Sequence, residues 1–275
     1  MSYALVTGAA KGIGKALARE LAQKNYHLLL VDIDEEGLIA TAGEIKTRWN
    51  VSVDILPLDL SAHGAIERLH DWTSDHHDHL KIVINNAGYG LNGPFAEMGL
   101  EEQLNIIDVN IKAQVSISHT YIPVLRRQEE AWLLNVASTT AYQSIPYFAV
   151  YAASKAFVLS FTRSLRYELS DTRISVSALS PGSTDTNFVH RARMSESLQQ
   201  KADRYNMQPQ AVARIALKGL FAGKAEILPG FVNQLHAFLP RFFRKDFIEK
   251  IGGRIYGPRP EKRRVRLDEL LPLAD

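Results

Sequence analysis

Tyr3-Ala4-Leu5-Val6-Thr7-Gly8-Ala9-Ala10-Lys11-Gly12-Ile13-Gly14 opens the chain, and its reading decides the fold. Residues 3–6 read as a short buried strand. The glycines at 8, 12 and 14 follow at once, and residues 15–24 read as a helix. A strand, a Gly-rich turn and a helix in that order form the opening of a dinucleotide-binding unit. Gly8 permits the tight turn, Gly12 lets a diphosphate approach the backbone, and Gly14 lets the helix pack closely on the sheet. The helix N-terminus adds free N–H groups and the positive end of its dipole. Three residues separate the first two glycines, against one in G-x-G-x-x-G, so a Gly-rich turn without a ligand is the alternative.

The rest of the chain repeats this rhythm. Strands are expected at residues 27–31, 51–56, 81–85, 132–137, 174–179 and 225–228, short and mostly apolar as buried parallel strands are. Helical segments separate them, which predicts an α/β, Rossmann-type doubly wound parallel sheet of about seven strands. Residues 1–230 form the dinucleotide-binding and catalytic domain in this reading, and residues 231–275 a helical extension and tail of it. The segment 183–207 lacks a clear apolar period and reads as a mobile flap.

Composition narrows the function. Lys and Arg number 32 against 30 Asp and Glu, which argues against general nucleic-acid binding. With no cysteine, disulfides, thiolate metal sites and a Cys nucleophile are excluded. No apolar run is long enough to span a bilayer. The first strand begins at once, so no signal peptide and a cytoplasmic location are expected. Asp75-His76-His77-Asp78-His79 has the look of a metal cluster but reads as a solvated loop, and no metal site is expected.

Four residues carry chemistry. Tyr151 and Lys155 lie four apart on one helix face. A nearby ammonium favours the phenolate, so the pair is expected to work as proton donor and acceptor near neutral pH. Ser138 ends the fifth strand, and its hydroxyl can donate to a substrate carbonyl oxygen. No G-x-S-x-G surrounds it, so it is not read as a hydrolytic nucleophile. Thr139 or Thr140 takes its place if the register shifts. Asp32 ends the second strand, where an acid can bond ribose hydroxyls and repel a 2′-phosphate. A helix-capping or turn acid is the plainer reading.

Thr7-Gly8 to Gly14, Asn85-Asn86-Ala87-Gly88, Ser138, Tyr151-x-x-x-Lys155 and Pro181-Gly182 fall in an order and spacing that resembles the short-chain dehydrogenase/reductase family, compact branch, from about residue 3 to 228. The resemblance implies an NAD(P)-dependent oxidoreductase interconverting a secondary alcohol and a ketone or aldehyde. It implies Asn110, Ser138, Tyr151 and Lys155 as catalytic residues, with Asn110 holding a water that links Lys155 to solvent. Asn is a poor helix former, and Asn110 falls in a predicted helix, which suggests a local hydrogen-bonding task there. A surface Asn is its alternative.

The same resemblance assigns cofactor contacts to Gly8, Lys11, Gly12, Ile13, Gly14, Asp32, Asp59, Leu60, Asn86, Ala87, Gly88, Tyr151, Lys155, Pro181, Gly182, Thr184 and Thr186. Asp59 and Leu60 would meet the adenine, although an N-cap shared with Ser61 also suits Asp59. The Asn85–Gly88 segment would stabilise the sheet and touch a ribose, and the loop after Pro181 would hold the carboxamide. Asp32 points to NAD. Lys11 points to NADP, but the place where NADP-dependent relatives commonly have Arg is Ile33 here. NAD is therefore favoured over NADP.

An apolar, lipid-like substrate is expected from Leu91, Ile145, Pro146, Tyr147, Phe148 and Phe188 near the pocket. Residues 236–256 interleave aromatic and aliphatic residues with Arg241, Arg244, Lys245, Lys250 and Arg254. This stretch can cover the pocket, meet a second subunit or lie on an anionic membrane. Apolar residues on more than one face of helices near 102–126 and 152–169 predict a homodimer or homotetramer. Two other function classes stay open: a dinucleotide-sensing scaffold of the same fold without turnover, and, more weakly, a nucleotide-sugar epimerase or dehydratase.

Overall fold

The computed structural model describes residues 1–186, 188–196, 198–199 and 206–257. Seven parallel strands run in the order β3-β2-β1-β4-β5-β6-β7. They are β1 (Tyr3–Thr7), β2 (His27–Asp32), β3 (Val53–Pro57), β4 (Leu80–Asn85), β5 (Ala131–Val136), β6 (Ile174–Leu179) and β7 (Glu226–Ile227). The order reverses between β1 and β4, and the crevice at that switch point is where such sheets bind ligands.

Both faces of the sheet are covered, which explains why the strands read as continuous apolar runs. Side chains alternate between faces. Ala4, Val6, Leu28 and Leu30 pack with Leu17, Leu21, Ala216 and Leu220. Leu5, Leu29 and Val83 pack on the opposite face with Ile117, Tyr121 and Leu165. The helices that supply these layers are α1 (Gly12–Gln23), α2 (Glu35–Arg48), α3 (Ala65–Thr73), α4 (Leu100–Ile107), α5 (Gln114–Leu125), α6 (Ala149–Glu168), the single turn α7 (Phe188–Arg191) and α8 (Pro209–Phe221). Two more helices, α9 (Phe231–Phe238) and α10 (Lys245–Tyr256), form the C-terminal extension.

Four sequence expectations change. Helix α1 starts at Gly12, three residues before the expected start. Glycine is a weak helix former, so propensity places the start late, whereas the turn delivers the chain into the helix directly. Second, residues 183–207 are more ordered in their described parts than a loose flap. Ala192 is fully buried, and Thr184 pairs with Met207 in a parallel bridge. Third, residues 74–79 form a 3₁₀ turn, and His77 is buried against Thr73 at 3.0 Å. Burial there pushes the His77 pKa down. No metal-holding group occurs among the described residues. Fourth, Gly14 is required by the turn more than by the sheet: a Cβ there would lie 1.9 Å from the Gly8 carbonyl oxygen. No described helix is long and apolar enough to cross a membrane.

Candidate active site

The carboxyl ends of β1, β2, β4, β5 and β6 open into one cleft of about 410 Å³. Gly8, Lys11, Gly12, Ile13, Asp32, Asp59, Leu60, Asn86, Ala87, Gly88, Ser138, Tyr151, Lys155, Pro181, Gly182, Thr184 and Thr186 all line it. Gly14 sits one turn behind, against Gly8, and Asn110 is fully buried beneath the floor.

Local chemistry fixes the glycine turn. Gly8 has φ +67°, which a residue with a side chain rarely adopts. Its neighbour Thr7 turns its hydroxyl into the fold, accepting from the backbone N–H of Asn86 at 3.0 Å and of Ala87 at 3.1 Å. The Asn86 side chain donates to the carbonyls of Thr7 and Gly8 at 2.9 and 3.0 Å. These bonds lock β1 to the end of β4, the sheet-stabilising task expected of this segment. Beneath it Asn85 donates to Asn135 at 2.8 Å, and Asn135 to Thr162 at 3.0 Å.

Asp32 accepts from the N–H of Ala10 at 3.0 Å and of Asp34 at 3.1 Å. Its carboxylate is thereby held at the cleft wall, and it does not cap a helix; Asp34 caps α2 instead, accepting from Gly37 at 3.0 Å. Lys11 pairs with that same Asp34 at 2.6 Å. The hydrogen bond and charge of Asp34 raise the Lys11 pKa, and Lys11 lowers that of Asp34. Asp34 was not singled out in the sequence. Asp59 accepts from the N–H and hydroxyl of Ser61 at 2.9 and 2.6 Å. The helix that follows is preceded by Gly64, so Asp59 is not its N-cap.

Asn110 lies where the α4–α5 run widens into a π turn, Asp108–Ala113; such turns recur at functional sites. Its Oδ1 accepts from Tyr89 N–H at 3.0 Å, and its Nδ2 donates to Tyr89 O and to Ser154 Oγ, both at 2.9 Å. Both side-chain donor hydrogens are thus used within the protein. A Cβ on Gly88 would lie 2.8 Å from that oxygen and 3.1 Å from Lys155 Nζ, so both atoms border Gly88.

Lys155 is buried, and its Nζ donates to Val136 O at 2.9 Å. Burial drops its pKa to about 8. Its Nζ is 5.9 Å from the Tyr151 ring centre. The expected lowering of the Tyr151 pKa is reversed: burial pushes it up to about 12, while the Ser138 and Thr140 hydroxyls pull the other way. Desolvation of the phenolate outweighs an ammonium that is itself desolvated and bonded elsewhere. Ser138 accepts from Thr140 N–H at 3.1 Å. Thr140 Oγ1 is buried, and its hydroxyl lies beside that of Tyr151.

The outer wall is apolar. Phe148, Tyr151, Phe188, Met194 and Tyr256 pack together, with Ile145 behind them. Leu91 instead joins Tyr89 and Ile106. Pro146 and Tyr147 touch glycines of the C-terminal extension. Tyr147 has φ +67°, a strained conformation for a bulky residue. Its carbonyl accepts from Gly93 N–H at 2.9 Å and from the Asn92 side chain at 3.2 Å. Asn92 also donates to Tyr256 O at 3.2 Å. Asn92 and Tyr256 were not singled out in the sequence, because nothing local marks residues that meet only in the fold, and Thr140 was read there only as a stand-in for Ser138.

The short chain dehydrogenase family profile matches residues 2–197. The chain belongs to this family, and it is an NAD(P)-dependent oxidoreductase. The non-catalytic and epimerase alternatives are set aside. A 1-deoxy-11-beta-hydroxypentalenate dehydrogenase of Streptomyces exfoliatus is 36% identical over 189 residues, covering 68% of each chain. Among solved structures, a 7beta-hydroxysteroid dehydrogenase superposes with a TM-score of 0.82 at 23% identity, covering 92% of this chain and 96% of that one. A Brucella melitensis 3-ketoacyl-(acyl-carrier-protein) reductase complexed with NADH reaches 0.73 at 26% identity, over 82% and 95%. A Thermococcus sibiricus alcohol dehydrogenase complexed with 5-hydroxy-NADP reaches 0.71 at 26%, over 83% and 95%.

Proposed function

We propose that this oxidoreductase interconverts a secondary alcohol and a ketone on an apolar, lipid-like substrate, with Tyr151 as acid and base and NAD preferred over NADP. The observation that carries the reading is the Tyr151 hydroxyl facing Ser138 and Thr140 at the foot of an apolar wall. A relative named for a hydroxypentalenate is consistent with such a substrate.

The residues present fit a nicotinamide dinucleotide. The N-terminus of α1 and the backbone at Gly12 and Ile13 suit a diphosphate, Asp32 suits ribose hydroxyls, and Lys155 can reach a second ribose. When bound, the nicotinamide gives or takes the hydride. Ser138 hydrogen-bonds the substrate oxygen, and Thr140 helps to orient the Tyr151 hydroxyl. Tyr151, protonated at neutral pH, donates its proton to the developing alkoxide in reduction. Oxidation needs it as phenolate, so that direction should speed up as pH rises. Asn110 acts as a positioning residue, fixing the backbone of Tyr89 beside Gly88 and Lys155.

The NAD preference rests on two carboxylates. Asp32 opposes a 2′-phosphate, and Asp34 neutralises Lys11, the cation that could have received one. We read the assembly as a homodimer or homotetramer through α4, α5 and α6, where Leu104, Phe157 and Tyr167 stand exposed. The test is a screen of apolar ketones, secondary alcohols, acyl thioesters and sugar phosphates with both cofactors, followed by nicotinamide absorbance. Turnover confined to sugar phosphates would overturn the substrate reading, and higher kcat/KM with NADPH the cofactor reading.

A further inference from the structure

Helix α10 carries two stripes that face in different directions. Ile248, Gly252 and Tyr256, four apart, turn inward: Gly252 is buried against Pro146, and Tyr256 closes the apolar wall of the cleft. Phe247, Ile251 and Ile255, also four apart, stand 51%, 40% and 42% exposed. Lys250 and Arg254 are exposed and lie three residues beyond Phe247 and Ile251, on the same face. The preceding turn adds exposed Arg241, Phe242 and Phe243, and Lys245 opens the helix exposed.

The outward face of a surface helix is ordinarily polar; this one is apolar with cations set into it. We propose that the outer face of α10 and the turn before it dock on a membrane surface rich in anionic phospholipid. The aromatic and aliphatic side chains would enter the boundary between headgroups and acyl chains, while Lys and Arg reach lipid phosphates. Charge argues for this occupant over a second copy of the chain. The segment 231–256 holds five basic and two acidic residues, and one of the two, Asp246, is engaged by Arg244 at 3.2 Å. A two-fold contact through this face would bring Lys250 and Arg254 against their own copies. Because Tyr256, on the inner stripe of α10, lines the cleft, docking sets the mouth of the site beside the phase where apolar substrates dissolve. The inference goes beyond the proposed function, since lipid binding is measured without substrate.

The full chain should sediment with phosphatidylcholine vesicles containing phosphatidylglycerol, and at least tenfold less with phosphatidylcholine alone. Lys250→Glu with Arg254→Glu should remove that difference. Phe247→Ser with Ile251→Ser should weaken binding to both vesicle types. NADH titration should match the parent in all variants, which reports intact folding. Equal sedimentation with and without the anionic lipid would overturn the proposal. So would a dimer in light scattering that the Phe247→Ser, Ile251→Ser variant splits to monomer; that result would assign the face to a second copy.

Discussion

The cleft and the C-terminal extension are built on opposite principles. At the cleft, polar groups are tied down: Thr7, Asn86, Asp32 and Asn110 each make two or more hydrogen bonds to backbone groups. In α9 and α10, Phe231, Val232, Phe238 and Phe247 are each more than half exposed, and side-chain bonds are few, such as Asn233 to Pro229 O at 2.7 Å. The first region specifies a ligand by rigid geometry. The second presents a surface whose chemistry is read from composition and facing direction. Tyr256 joins the two, since it belongs to the extension and packs against Phe148 at 5.5 Å inside the cleft.

The sharpest break in this contrast is expected at Lys155. Its ammonium is buried without a carboxylate among the described residues, so the cleft should carry a cost that the extension does not. The drop from 10.5 to about 8 corresponds to about 3 kcal/mol against folding while the group is charged. Because the folded pKa is depressed, the penalty is present below pH 8 and is relieved as pH rises toward 10.5. Lys155→Met should therefore lose turnover by roughly a hundredfold or more, yet unfold at a higher temperature at neutral pH. A lower Tm in calorimetry would show that the charge is stabilised in place.

A smaller change is expected at Asp34. Asp34→Asn keeps a side chain able to cap α2 but releases Lys11, so the ratio of NADP to NAD affinity should rise by roughly three- to tenfold. Fluorescence titration of both cofactors checks this, and an unchanged ratio would leave Asp32 alone as the selectivity determinant. The smallest effect on the chain itself should come at Tyr167, which is 82% exposed. Tyr167→Ser should shift Tm by no more than about 0.5 kcal/mol equivalent while lowering the assembled fraction in light scattering. A parent that is monomeric at micromolar concentration would dismiss that interface.

Much of the cleft was legible because local backbone demands mark the sequence directly. Gly8 combines φ +67° with a neighbourhood in which a Cβ would lie 2.7 Å from Asn86 Nδ2 and 2.9 Å from Ala87 Cα, and an apolar run followed by such a turn has few structural solutions. Asn110 was visible for the opposite reason, as a residue ill suited to the helix that surrounds it, and the π turn gives the physical cause. The Lys11–Asp34 pair was not legible: Lys11 alone suggested NADP, and its neutralisation depends on where α2 is capped. Tyr256 reaches Tyr151 across more than a hundred residues, which no periodicity encodes. The raised pKa of Tyr151 escaped as well, because spacing shows that a cation is near but not how dry the site is.

The central claim is that the Tyr151 hydroxyl carries the proton. Steady-state rates of Tyr151→Phe with a turned-over ketone test it most directly, alongside NADH titration of the same protein. The ring packing is retained, so cofactor affinity should stay within about twofold, while kcat falls by roughly a hundredfold or more. Activity within tenfold of the parent, with cofactor binding intact, would contradict the account and move the proton to another group in the cleft, with Tyr256 the first to examine.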